Sequence, residues 1–326
     1  MNIKEFKNIF KKVDGLQKIK DFIKNHLLFY MLVQTCLLGT SKKGLEIVRN
    51  IYNFKIYKKL KRKNKKFIDK FVKENNFSTK EKKHEKVIWT IWLQGMDNAP
   101  EIVQMCYKSM KDHLKEYKII VITEDNYKDY ISFPDYILDK YNRGIISKVH
   151  FADLIRIELM ATHGGTWLDG TVYCSHTPKD RFFIDSDLFL FQNLKPGLDG
   201  HSLSVSSWFI TASTNQPIIM LTRALLHQYW KKYNYAVDYF ILHYFIQLSI
   251  ETYPEEWKKV IPFSNSTPHI LLLRLFDKYD DETWHAIKAQ TPFHKLSYKF
   301  SDNDKNKSET YYKMLMNEKN ILKERK

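Results

Sequence analysis

Ser147-Lys148-Val149-His150-Phe151-Ala152-Asp153-Leu154-Ile155-Arg156, continued through Gly164-Gly165-Thr166-Trp167-Leu168-Asp169-Gly170-Thr171-Val172-Tyr173, is the stretch whose reading decides the fold. Ser147 can cap a helix over 148–163 whose apolar face carries Phe151, Leu154, Ile155 and Leu159. Gly164-Gly165 ends that helix, and residues 166–173 read as a strand with a turn inside it. Asp153 and Arg156 stand three apart and share one helix face. Singly these features are ordinary: a surface ion pair, a helix stop, a turn aspartate. In this order and spacing they are far more specific.

Outward from this stretch the alternation continues. Val87 to Leu93 is a continuous apolar run, expected of a buried parallel strand. Residues 94–100 break it, and Pro100 suits the first turn of a helix running to about Leu114. Tyr117 to Thr123 is a second strand, Glu124-Asp125-Asn126 a turn, and Pro134 opens a short helix. Strand, helix, strand, helix, strand predicts an α/β sheet with its ligands at the carboxyl ends of the strands. Further on, Val237-Asp238-Tyr239-Phe240 opens an apolar helix through Ile250, and residues 264–269 form a polar loop.

The 326 residues, 44% apolar and 15% aromatic, can bury a sizeable core and exclude a disordered chain. No apolar run is long enough to span a bilayer; Leu27 to Leu38, the longest candidate, contains Gln34 and Thr35. The first residues lack the apolar core of a secretory signal. Cys36, Cys106 and Cys174 are too few and too far apart for a disulfide framework or a zinc site, so a reducing cytoplasm is the expected setting.

The net charge of +16 is unevenly placed. Residues 1–86 hold 24 basic and 8 acidic groups, leaving 29 of each in the rest. Within that region Ile3, Phe6, Phe10, Val13, Leu16, Ile19 and Ile23 recur at helical steps, and Lys58 to Lys66 is a polybasic run. Two readings stand side by side: a helix packed on the body, and a peripheral helix on an anionic membrane, at the inner face of the plasma membrane. No zinc-finger, RNP or helix-turn-helix signature is present, so no nucleic-acid partner is expected. The expected division is a basic helical region at 1–85, an α/β domain at 86–300 and a charged tail at 301–326.

The motif set resembles glycosyltransferases with a DXD-type sugar-nucleotide site, closest to the capsular polysaccharide synthesis branch related to family 32. Ala152-Asp153-Leu154-Ile155-Arg156, Gly164-Gly165 and Asp169-Gly170-Thr171 carry the resemblance. Residues 91–95, 123–126, 207–210 and 294–299 extend it. It implies a GT-A fold, a single Rossmann-like nucleotide-binding domain, with a nucleoside diphosphate sugar as donor and Mn²⁺ or Mg²⁺ as cofactor. The acceptor it implies is a lipid-linked or oligosaccharide glycan of a bacterial capsule or similar surface polysaccharide, with retention of anomeric configuration. A toxin-like transferase acting on protein is the alternative within the enzymes. A basic membrane- or nucleic-acid-binding protein with a weakened site is the alternative outside them.

The resemblance also assigns roles. Trp92 would stack on the base, or else be core. Asn126 would meet the base edge, or else close its turn. Asp153 would accept from ribose hydroxyls, and Arg156 would hold Asp169 or reach the diphosphate. Gly164 and Gly165 would let backbone approach the sugar. Asp169 would serve the metal and catalysis. Thr171 stands where the family has the metal-binding second aspartate. His294 resembles the late metal- or phosphate-contacting histidine, and Lys295 or Lys299 would balance diphosphate charge. Asp238 is an acceptor-side carboxylate or a helix cap, and Trp208 lines the acceptor region or the core.

Overall fold

A computed structural model describes residues 15–77, 79–194 and 202–321. Its helices are α1 (Gly15–Lys24), α2 (Leu28–Leu38), α3 (Lys42–Glu74), α4 (Glu101–His113), α5 (Asp135–Asn142), α6 (Lys148–Thr162), α7 (Pro217–Lys232), α8 (Ile241–Thr252), α9 (Pro254–Trp257), α10 (Ile270–Arg274), α11 (Asp281–Gln290), α12 (Asp302–Lys305) and α13 (Tyr311–Ile321). Its strands are β1 (Val87–Ile91), β2 (Lys118–Ile122), β3 (Gly165–Leu168), β4 (Val172–Cys174), β5 (Leu188–Gln192), β6 (Val205–Ala212) and β7 (Phe293–Lys295).

The main sheet runs β2-β1-β3-β6-β5. β1 pairs in parallel with both β2 and β3, so these three carboxyl ends share one edge. β6 runs antiparallel to β3 and to β5, which brings the start of β6 to that same edge. The protein is therefore mixed α/β. The stretch read as a third strand with a turn is divided between two sheets: β3 lies in the main one, and β4 pairs antiparallel with β7 in a separate ribbon. The turn between them is Asp169-Gly170-Thr171.

The helix expected over 148–163 is α6, capped by the Ser147 hydroxyl, which accepts from the His150 amide. It is buried on nearly every side from Phe151 to Ala161. That explains its apolar run, since a helix covered all round has no solvent face to make polar. Asp153 and Glu158 are its buried acids; Arg223 and His227 of α7 pair with Glu158 and hold its carboxyl below the usual range despite burial.

Three expectations change. First, residue 85 is not a packing boundary. Val48, Tyr52, Ile56 and Leu60 recur every four residues along α3 and enter the same core as Tyr244, Phe245 and Leu248 of α8. Asn25 and the Tyr52 hydroxyl donate to the Val237 carbonyl, and the Tyr57 hydroxyl donates to Glu251. Second, the charged C-terminal tail contains core: Tyr311, Tyr312 and Leu315 are buried with Leu271, Leu275 and Trp284. Third, the amphipathic helix read from Ile3 is described only in its last part. Ile3, Phe6, Phe10, Val13 and the Leu16 side chain lie outside the described residues, while Ile19 and Ile23 are exposed. Among the described residues no helix is long and apolar enough to cross a membrane.

Candidate active site

Arg156 is the centre of the strand-end edge. Its Nη1 donates to Asp153 Oδ1 at 3.0 Å and to Ser207 Oγ at 2.7 Å. Its Nη2 donates to Asp169 Oδ1 at 3.0 Å. The guanidinium lies 4.8 Å from the centroid of the Trp167 ring. One planar fork thus joins the helix acid, the strand-end acid and the first residues of β6, which a shorter or point-like cation cannot do. Arg156 Nε is buried and has no hydrogen-bond partner.

The two carboxylates differ. Asp153 is buried, and burial pushes its carboxyl up to about 7, against the pull of Arg156 and with a further push from Asp169. Asp169 is more open. Its Oδ1 accepts from Arg156 and from Trp167 Nε1, while Oδ2 faces Lys295 Nζ at 3.5 Å. Lys295 Nζ also donates to Thr171 Oγ1 at 2.5 Å. The antiparallel pairing of Val172 with Lys295 sets this approach. The ammonium therefore sits beside both oxygens to which the resemblance assigns a divalent cation.

That arrangement bears on the metal. Thr171 already accepts from Lys295, leaving Asp169 as the only carboxylate, and it is bracketed by two cations. His294 is not brought to them. Alternation along β7 turns it to the opposite face from Lys295. There it is fully buried, meets Ser175 Oγ at 3.0 Å and is held neutral by burial, its imidazole pushed down to about 3. Among the described residues no group of three or more His, Cys, Asp or Glu is placed to hold a metal ion. Of the donor set that the resemblance implies for Mn²⁺ or Mg²⁺, Asp169 and Thr171 stand together beside Lys295 and His294 stands apart from them.

Other assigned residues divide. Trp92 follows β1, meets the Tyr298 ring edge-on at 5.4 Å and lies near Gly170, so it stands beside the Asp169 turn. Asn126 closes the turn after β2: its Oδ1 accepts from the Thr123 amide at 2.8 Å and its Nδ2 donates to the Val121 carbonyl at 2.9 Å.

The glycine pair stands at the other end of β3 from Asp169. Gly164 precedes β3 and Gly165 begins it, whereas Asp169 follows its end, about 13 Å from Gly165 at about 3.3 Å per residue. Their φ values are +70° and +90°, and a Cβ on Gly165 would meet Val87 Cγ1 at 2.5 Å. They are required for close packing of backbone against β1 and its approach.

Asp238 is also placed elsewhere. Its Oδ1 accepts from the Phe240 amide at 2.8 Å just before α8, and its Oδ2 pairs with Lys18 at 3.3 Å. With a fully buried side chain it is a structural tie to α1. Trp208 is core, stacked on Phe191 at 4.6 Å, with its Nε1 donating to Asn265.

The structure adds three residues. Ser207 anchors Arg156. Tyr239 lies within the electrostatic reach of Asp153 and Asp169; partial burial, and then their charge, raises its phenol. His243 is pushed down to about 4 by burial and by Arg156, and its buried Nδ1 has no hydrogen-bond partner. Tyr239 stands in the turn before α8 and His243 in its first turn, polar positions in an otherwise apolar segment.

The fold and this cluster define a mixed α/β protein with an acid–arginine–lysine site at its strand carboxyl ends. The family described as Capsular polysaccharide synthesis protein matches residues 40–315, and the chain belongs to it. That match begins inside the basic region and takes in all of α3. A solved structure titled PaToxG Glycosyltransferase is similar at 14% identity and a TM-score of 0.36, over 82% of this chain and 96% of that one. No curated protein matches the sequence.

Proposed function

We propose that the protein is a glycosyltransferase of capsule or related surface-polysaccharide synthesis. It takes a hexose from a nucleoside diphosphate sugar on a GT-A-type domain and passes it to a lipid-linked or oligosaccharide glycan with retention. The observation that carries this reading is the bridging of Asp153 and Asp169 by Arg156, with Lys295 between Asp169 and Thr171. Asp153 accepts from the ribose, and Trp92 with Tyr298 offers aromatic surface for the base. Lys295 and Arg156 meet the negative charge that develops on the departing diphosphate. Tyr239 lines the sugar side.

Calorimetry on the full chain with UDP-, GDP- and dTDP-sugars tests the reading, followed by product analysis with the donor that binds. One donor should bind, and the free diphosphate should bind better than the monophosphate. Lys295→Ala should erase that preference while leaving the nucleoside contribution, and a chelator should leave transfer intact. No binding across the panel refutes the donor site. Full activity of Lys295→Ala with complete inhibition by chelator refutes the lysine's role.

A further inference from the structure

α2 is an 11-residue helix without a charged side chain, yet among its described residues only Met31 is buried. Phe29, Leu32, Val33, Cys36 and Leu37 follow the spacing i, i+3, i+4, i+7, i+8 and form one outward stripe. Phe29 is 81% exposed and Leu37 75%. The adjoining α1 exposes Ile19 and Ile23 as well.

The helix is firmly seated all the same. Gly44 lets the Leu38 and Gly39 carbonyls approach to 2.5 and 2.7 Å of where its Cβ would be, which closes the turn into α3. Lys55 sits over the Tyr30 ring at 4.3 Å. A held helix whose apolar stripe no described residue covers marks an interaction surface.

Charge identifies its occupant. No acidic residue occurs between Asp21 and Glu46, and Lys24, Lys42 and Lys43 are exposed at the two ends of α2, with Lys20 and Arg49 beyond them. A second copy would bring the same cations face to face. An anionic bilayer offers acyl chains to the stripe and phosphates to the lysines. At about 1.5 Å per residue α2 is about 16 Å long, half of what spanning needs.

We propose that α2 is a monotopic docking helix that lies in the interface of an anionic membrane with Phe29, Leu32, Val33 and Leu37 inserted and the flanking lysines at the headgroups. The attachment is independent of what the strand-end site binds. It assigns insertion to α2, leaving the polybasic run on α3 outside it.

The test uses the full chain and vesicles of phosphatidylglycerol with phosphatidylcholine, and of phosphatidylcholine alone. Cys36 is exposed while Cys106 and Cys174 are buried, so an environment-sensitive fluorophore can be placed within the stripe. Its emission should shift to the blue with anionic vesicles and much less with neutral ones. In flotation, Phe29→Ser with Leu37→Ser should weaken binding by roughly tenfold or more, since each loses burial of a large apolar side chain. Both positions are exposed, so the melting temperature should not change. Undiminished flotation of the double variant, or a label that stays in water when the protein floats, overturns the proposal. So does sedimentation that finds a dimer dispersed by the double variant with no vesicle binding, which would make the stripe an interface between copies.

Discussion

Replacing Asp153 by Asn isolates the electrostatic cost of the buried acid. Its carboxyl moves from the ordinary 3.8 to about 7 in the folded protein, burial outweighing Arg156. Between those values the native protein keeps a proton that the unfolded chain has released. Stability must therefore fall as pH rises across this window; the contribution is fully present below 3.8 and lost above about 7. The interval is about three pH units, and at about 1.4 kcal/mol per unit the change is about 4 kcal/mol. Asn keeps an oxygen for Arg156 but does not titrate. The stability of Asp153→Asn relative to wild type should thus rise by about 4 kcal/mol between about pH 4 and about pH 8. Urea unfolding at constant ionic strength, extrapolated to water at each pH, measures it. Under the proposed function, donor binding has the opposite slope, since a charged carboxylate is the better acceptor for ribose hydroxyls. A flat stability difference, or one that moves the other way, refutes the reasoning and means that the Arg156 pair dominates burial.

Other perturbations separate site from scaffold. Arg156→Met leaves two acids without their shared cation; it should abolish transfer and destabilise by about 3–5 kcal/mol, read by calorimetry of unfolding. Arg156→Lys should recover part of that stability without restoring activity, because one ammonium cannot fork to Asp153, Ser207 and Asp169. Gly165→Ala puts a methyl 2.5 Å from Val87 Cγ1 at a φ of +90°, so it should lower the melting temperature by several degrees while the surviving folded fraction keeps its donor affinity. Deleting residues 1–80 strips Tyr52, Ile56 and Leu60 from the core they share with α8. At about 1.5–3 kcal/mol for each large apolar side chain, the fragment should be insoluble or unfolded on circular dichroism. A soluble fragment with normal donor binding would show that α3 is dispensable.

What the sequence made legible follows from local signals. The β1, α4, β2 and α6 elements have apolar runs, caps and breakers of their own, and the observed boundaries lie close to the expected ones. Asp153, Arg156 and Asp169 were readable as a group because helix spacing and the strand end fix them within one short stretch. Lys295 was readable only as a charge; its approach to Thr171 and Asp169 depends on the β4–β7 pairing, a contact between residues far apart in sequence. His294 and Lys295 are adjacent, and strand alternation alone decides which of them faces the site. The glycine pair misled because a tight turn beside a motif looks the same whether backbone or ligand fills the space.

The basic region shows why charge was a poor guide to domain structure. The lysines of residues 58–66 are conspicuous in the sequence, but Leu60 and Asn64 among them are buried, and the run is the solvated face of a helix whose other side is core. Composition records both faces together and cannot say which one a neighbour covers. For α2 the same ambiguity ran the other way: an apolar segment too short to span reads as core, while the described residues leave its stripe exposed. Exposure, which only the assembled structure supplies, turns the polybasic helix into scaffold and the bland apolar helix into the surface that has to be accounted for. The membrane proposed beneath α2 would account for both the stripe and the lysines at its ends, and the proposal asks nothing of the Arg156 site on the sheet edge.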